Sequence, residues 1–165
     1  MTVKTNDSIL ELKSGEKSLI LQNMEIIRCN EEDYETLAGI WERSVMATHS
    51  FLKEKDFNAI RAALIPDYFP NVELYAIVEN NLYAGFIGLS LDTIEMLFID
   101  SDRRRQGYGS ALVEFARQRG VTKVDVNEQN PSALNFYRAN GFRVMAKDET
   151  DDAGRPYPIL HLTTL

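Results

Sequence analysis

The sequence predicts a mixed α/β domain, and three observations carry that expectation. Apolar residues switch repeatedly between alternation and helical spacing, turn residues fall between the patterned segments, and the composition suits a packed core. At 165 residues, 44% hydrophobic and 26% charged, the chain is long enough for one compact core and unlike a disordered tail. No repeat or low-complexity tract interrupts it.

The elements follow in order. Ser8 to Leu12 and Ser18 to Gln22 alternate loosely around Lys13-Ser14-Gly15-Glu16-Lys17, the pattern of a hairpin. Glu25 to Arg28 reads as a strand. Glu31 to Val45 reads as a helix, because Tyr34, Leu37, Ala38, Trp41 and Val45 share one face, with Asn30 as N-cap and Asp33 close behind. Phe57, Ile60 and Leu64 mark a second helix, expected to end before Pro66. Leu74 to Val78 and Leu82 to Leu89 are strands joined at Glu79-Asn80-Asn81, whose asparagines tolerate positive φ. Gly85 and Gly88 thin the second of these, either for a close neighbour, backbone or ligand, or for a bulge. Ile94 to Ile99 is a strand, Gly107 to Arg119 a helix and Lys123 to Asn127 a strand. Pro131 sits where the first turn of a helix accepts proline, with Asn130 as its cap. Phe142 to Lys147 and Ile159 to Thr164 close the sheet as a hairpin.

Charge and cysteine usage exclude several classes. A net charge of −7 and a pI near 4.9 argue against broad binding of nucleic acid or anionic membrane, and favour a cationic, amine-bearing acceptor. One cysteine, Cys29, rules out an intrachain disulfide and a cysteine metal cage. His49 and His161 lie far apart without ligand spacing, so no metal is expected. No run is long and apolar enough to span a bilayer, and a cytoplasmic location is expected.

Two glycine-centred blocks carry the chemistry. Arg104-Arg105-Gln106-Gly107-Tyr108-Gly109 follows the apolar run Met96-Leu97-Phe98-Ile99 and opens a helix-patterned segment. Unpaired amides and the positive dipole end converge at such a helix start, glycines let a phosphate approach the backbone, and Arg103, Arg104 and Arg105 add bidentate donors. Alone, the block reads more readily as a solvated turn before a helix. It lacks the Gly-Lys-Ser/Thr of a Walker loop and the third glycine of a dinucleotide fingerprint.

The second block is Asn130-Pro131-Ser132-Ala133-Leu134-Asn135-Phe136-Tyr137-Arg138-Ala139-Asn140-Gly141-Phe142. Together the two resemble the GCN5-related N-acetyltransferase (GNAT) superfamily over about Ile94 to Phe142. Trp41-x-x-Ser44-Val45-x-Ala47-Thr48-His49-x-Phe51-Leu52 and Asp152-x-Gly154-x-Pro156-Tyr157-Pro158 extend the likeness, to one bacterial branch, from about Met24 to the C-terminus. It implies a GNAT fold, a mixed central sheet of about six to seven strands with helices on both faces and a splayed strand pair holding acyl-CoA. It makes residues 24–165 the acetyltransferase domain and residues 1–23 an extension, whether an extra hairpin, a homodimer contact or an appended foreign tail.

The resemblance further implies that acetyl-CoA donates an acetyl group directly to a primary amine of a small molecule or peptide. Amides near Leu97, Phe98 and Ile99 would hold the pantetheine arm, and Arg104, Arg105, Gln106, Gly107, Tyr108, Gly109 and Ser110 the pyrophosphate. Asn130 would contact the cofactor, Ala133 and Phe136 face its thiol, and Tyr137 protonate the leaving thiolate. Glu95 and His49 are the candidates for removing the amine's proton, and a water chain is the alternative to both. Cys29 has no histidine nearby in sequence and is a poor nucleophile. Arg155 and Tyr157 stand either in the acceptor pocket or at a strand entry. The competing function is an idle acyl-CoA-binding regulatory or sensor domain, which would not need Tyr137.

Overall fold

The protein is described from a computed structural model, which covers residues 2–4 and 24–164. The hairpin expected over Ser8 to Gln22 lies outside the described residues. The strands are β1 (Thr2–Lys4), β2 (Met24–Arg28), β3 (Glu73–Glu79), β4 (Leu82–Ser90), β5 (Thr93–Ile99), β6 (Lys123–Asn127), β7 (Phe142–Asp148) and β8 (Ile159–Thr164). The helices are α1 (Tyr34–Thr48), α2 (Glu54–Ala63), α3 (Tyr108–Arg117) and α4 (Pro131–Ala139). Residues 24–164 supply the seven strands expected, and Thr2–Lys4 pairs antiparallel with β2 to make an eighth. The sheet order is β1-β2-β3-β4-β5-β6-β8-β7, antiparallel except for the β5–β6 pair.

Alternation along the strands divides the core between two faces. On β3, Tyr75 and Ile77 join the cluster under α3 and α4, while Leu74 and Ala76 join the cluster under α1 and α2. The first cluster runs on through Leu112, Phe115, Val124, Val126, Leu160 and Leu162; the second gathers Leu37, Ile40, Trp41, Phe69 and Phe86. Among the described residues, the α1–α2 cluster includes none from β6, β7 or β8. Asp125 and Asp148 are exposed there.

Local sequence explains the element ends. Asn30 Oδ1 accepts from Glu32 N at 2.9 Å while Asp33 Oδ2 accepts from Asn30 N at 2.9 Å, a capping box that starts a 3₁₀ turn over Glu31–Asp33 and then α1. Asn80 and Asn81 adopt φ of 51° and 64° between β3 and β4, the left-handed pair that the asparagines favour. The helix expected to stop before Pro66 does end at Ala63, yet the chain does not leave helical geometry. It widens into a π turn over Leu64–Tyr68, with Phe69 N bonded to Leu64 O. Proline is accommodated because the opening turn of a new hydrogen-bonding register has N–H groups without partners in any case.

Two irregularities position the site. The β4–β5 register passes from Gly88↔Met96 to Leu89↔Ile94, leaving Glu95 as the extra residue of a bulge. A Cβ on Gly85 would stand 2.8 Å from Phe98 O and 3.1 Å from Ile99 Cα, so this glycine admits a neighbouring strand. The sequence's two alternatives for the glycines are thus both realised, one at each. Beyond that, β5 and β6 pair only at Thr93↔Lys123 and Ile94↔Val124. From there the two strands part.

Candidate active site

The parted strands open a cleft of about 570 Å³, lined by Leu97, Phe98 and Ile99 of β5, by Arg103 to Arg105 and Gly107 to Ser110, and by Asn130, the N-cap of α4, with Ala133, Phe136 and Tyr137 of that helix. A smaller hollow of about 120 Å³ shares His49, Leu97, Phe98, Asn130, Ala133 and Tyr137 with it, and adds Glu95 and Asp125. The cleft and the hollow therefore meet beside Tyr137 and His49. Of the residues singled out in sequence, Gln106 does not line the cleft; its Oε1 lies 3.4 Å from Tyr108 Oη. Glu95 reaches the hollow only.

Backbone direction decides which β5 amides are free. Asp100 N donates to Ala84 O at 2.8 Å, and successive N–H groups of a strand point opposite ways. The Phe98 amide therefore faces β4, while those of Leu97 and Ile99 face the gap. At the far end, Gly107 has φ of 87° and caps α3, so the first-turn amides open onto the cleft. Arg105 is also left-handed, at 63°, a conformation that costs a non-glycine residue and turns the chain sharply into the helix. Glu79, which sequence reading did not single out, braces this loop. Its carboxylate accepts from the Tyr108 hydroxyl and pairs with Arg103 Nη1 at 3.7 Å, leaving Arg104 and Arg105 exposed.

Tyr137 is 7% exposed, and its ring is held edge-on by Phe136 and Phe142 at centroid distances of 5.0 and 5.5 Å. Among the described residues its hydroxyl has no hydrogen-bond partner, and Tyr137 lines both cavities. Burial pushes the phenol well above its usual range, so it remains a proton donor. Cys29 is 7% exposed, and burial, reinforced by Asp33, pushes its thiol up to about 12. It stays a thiol and is no acyl carrier.

The hollow is acidic, lined by Glu95 and Asp125. Burial raises the Glu95 carboxyl, with the charges of Asp125 and Asp152 adding to it. Next to the hollow, His161 is held between Asp125 at 2.6 Å and Asp148 at 2.8 Å. Tyr157 is buried and does not line either cavity. Its hydroxyl donates to Asp56 and accepts from Lys53 N at 3.2 Å, while Arg155 Nε lies 3.7 Å from Asp56 Oδ1. These contacts clasp the end of the α1–α2 loop and the first turn of α2 to the loop before β8, a joining that chain distance concealed.

The two histidines act on stability with opposite signs. Hydrogen bonds to Asp148 and then Asp125 raise His161 above 6.5, so its contribution is complete below about 6.5 and fades as pH rises through the raised value. Burial lowers His49 to about 4, so stability present above about 6.5 is lost as pH falls toward that value. In urea titrations across pH, His161→Gln is expected to flatten the curve above 6.5 and His49→Gln to flatten it below. Variant curves parallel to the parent's would contradict both assignments.

A mixed sheet parted at one parallel pair, with a glycine-started helix at one end of the opening and a tyrosine at the other, fits the acyltransferase class. The acetyltransferase (GNAT) domain family matches residues 70–144, and the chain belongs to that family. It is 43% identical over 143 residues to the peptidyl-lysine N-acetyltransferase YjaB of Salmonella typhimurium, covering 83% of this chain and 95% of that one. The solution structure of apo-form YjaB from Escherichia coli aligns with a TM-score of 0.79 at 38% identity, covering 86% of this chain and 97% of that one. The PaiA N-acetyltransferase of Thermoplasma acidophilum, solved in complex with coenzyme A, shares the fold at 19% identity and a TM-score of 0.62, over 84% and 97% of the two chains. The chain is accordingly an N-acetyltransferase acting on a primary amine.

Proposed function

We propose that the chain transfers the acetyl group of acetyl-CoA to the ε-amino group of lysine in a peptide or protein. The observation that carries this reading is the meeting of cleft and hollow at Tyr137 and His49, with the hollow faced by Glu95 and Asp125. The donor enters by the cleft: its pyrophosphate lies against the amides of Tyr108 to Ser110 with Arg104 and Arg105 beside it, and its thioester end reaches Asn130, Ala133 and Phe136. The acceptor enters by the acidic hollow, where a carboxylate pair favours an ammonium group. That the Salmonella and Escherichia relatives are peptidyl-lysine acetyltransferases supports the acceptor class.

The chemistry then follows from the groups present. The ammonium group loses one proton to neutral His49, and its nitrogen attacks the thioester carbonyl while a β5 amide, from Leu97 or Ile99, steadies the oxyanion. The C–N bond forms and the C–S bond breaks; sulfur takes the Tyr137 proton, and the second amine proton restores the phenol. Because burial holds His49 at about 4, it does not keep the first proton and relays it to solvent as the amine is made neutral. We also propose that residues 24–165 form the acetyltransferase domain and that residues 1–23 are an extension to it, of which Thr2–Lys4 adds an edge strand beside β2. The lone buried thiol of Cys29 suits the reducing cytoplasm.

Incubation with acetyl-CoA and lysine peptides is expected to give one acetyl mass per peptide and stoichiometric thiol release. Glu95→Gln combined with Asp125→Asn should raise KM for the peptide about tenfold or more and leave KM for acetyl-CoA unchanged, the size expected when charge-assisted contacts are lost. Coenzyme A binding without turnover on any lysine peptide would overturn the acceptor assignment.

A further inference from the structure

His49 has two polar neighbours, and they specify the same tautomer from opposite ends of the ring. Asn130 caps α4: its Oδ1 accepts from Ala133 N at 3.1 Å, so the atom it turns toward His49 Nε2, at 3.5 Å, is the amide nitrogen Nδ2. An NH₂ group only donates, which makes Nε2 the acceptor. At the other end, the Thr48 hydroxyl donates its one hydrogen to Ser44 O at 2.8 Å. Its contact of 2.7 Å with His49 Nδ1 is then filled by a hydrogen on Nδ1.

We propose that Thr48 is a positioning residue that holds His49 as the Nδ1–H tautomer and so presents the Nε2 lone pair where the cleft and hollow meet. This rests on reading His49 as the proton acceptor. The neighbouring rings of Phe51 and Phe98, at centroid distances of 5.2 and 6.5 Å, restrict the imidazole's swing. The long Asn130 contact is weak, so an incoming amine displaces it readily. The ionisable groups around this junction are Tyr137 from α4, Glu95 from β5 and Asp125 from β6 on the hollow side, with Arg103, Arg104 and Arg105 farther along the cleft. Burial keeps the ring neutral, as the lowered value of about 4 reflects. In the opposite tautomer Nε2–H would meet the Asn130 NH₂ head-on and offer the amine no lone pair.

Nitrogen-15 spectra of histidine-labelled protein test this directly, because the chain has only two histidines and His161→Gln assigns them. At neutral pH, the expected His49 pattern is a protonated Nδ1 with a bare Nε2. Thr48→Val is expected to move the population toward Nε2–H and lower kcat about tenfold or more, with KM for acetyl-CoA unchanged. Thr48→Ser should restore both. A bare Nδ1 in the unaltered protein overturns the proposal without recourse to any variant, as does a Thr48→Val enzyme with the shifted tautomer and undiminished kcat. His49→Gln separates the two levels: full activity there removes the base assignment itself, whatever tautomer the spectra show.

Discussion

Tyr137→Phe is expected to lower kcat about 100- to 1000-fold, within the span of a positioned general acid, while coenzyme A binds with its affinity unchanged. The substitution removes one oxygen and keeps the ring that Phe136 and Phe142 grip, so the wall of the cleft survives. Nothing in the described protein hydrogen-bonds to that oxygen, so its loss leaves no stranded partner and costs little stability. The measurements are steady-state turnover on a lysine peptide and calorimetric titration with coenzyme A. A fall in kcat accompanied by an equal loss of coenzyme A affinity would make Tyr137 a binding residue. Retention of kcat would assign the thiolate's proton to water.

Gly85→Ala is expected to destabilise the fold by about 1–3 kcal/mol, the usual cost of overpacking, which lowers Tm by roughly 2–4 °C per kcal/mol in a chain of this size. The new methyl would stand 2.5 Å from Ile99 Cδ1, which a rotamer change relieves, but also 2.8 Å from Phe98 O, which only a strand shift relieves. Combining it with Ile99→Val should therefore recover a minor share of the loss. Full recovery in the double variant would show that the side chain, and not the β5 backbone, enforces glycine. Since the shift displaces the strand that presents the Leu97 and Ile99 amides, KM for acetyl-CoA should rise with the loss of stability.

The sequence made local elements legible wherever one residue type dominated its own conformation. Asn30, Asn80, Asn81 and Asn130 marked their cap and turns because each acts within a few residues of itself. The π turn through Pro66 escaped because proline reports that an α-helical bond is missing and not which register replaces it. The proposed donor side comes from two contiguous stretches, Arg104 to Ser110 and Asn130 to Tyr137, whose roles the family resemblance implied and most of whose residues line the cleft. The proposed acceptor side is drawn from Thr48, His49, Glu95 and Asp125 on separate elements. The contact between His49 and Asn130 bridges 81 positions, and no local pattern encodes it. Glu79 escaped likewise, since it braces the loop at Tyr108 from the far end of β3.

The two-residue pairing of β5 with β6 means that the free enzyme is an unfinished sheet. A pantetheine chain carries amide groups spaced much like a peptide's, so a donor bound as proposed above would fill the place of the absent strand segment. Bound donor at a hundred times its Kd would add about 2.7 kcal/mol to the folding free energy. Cellular acyl-CoA would then govern how long the protein endures as well as how fast it works, and a starved cell would hold a more fragile pool of the enzyme.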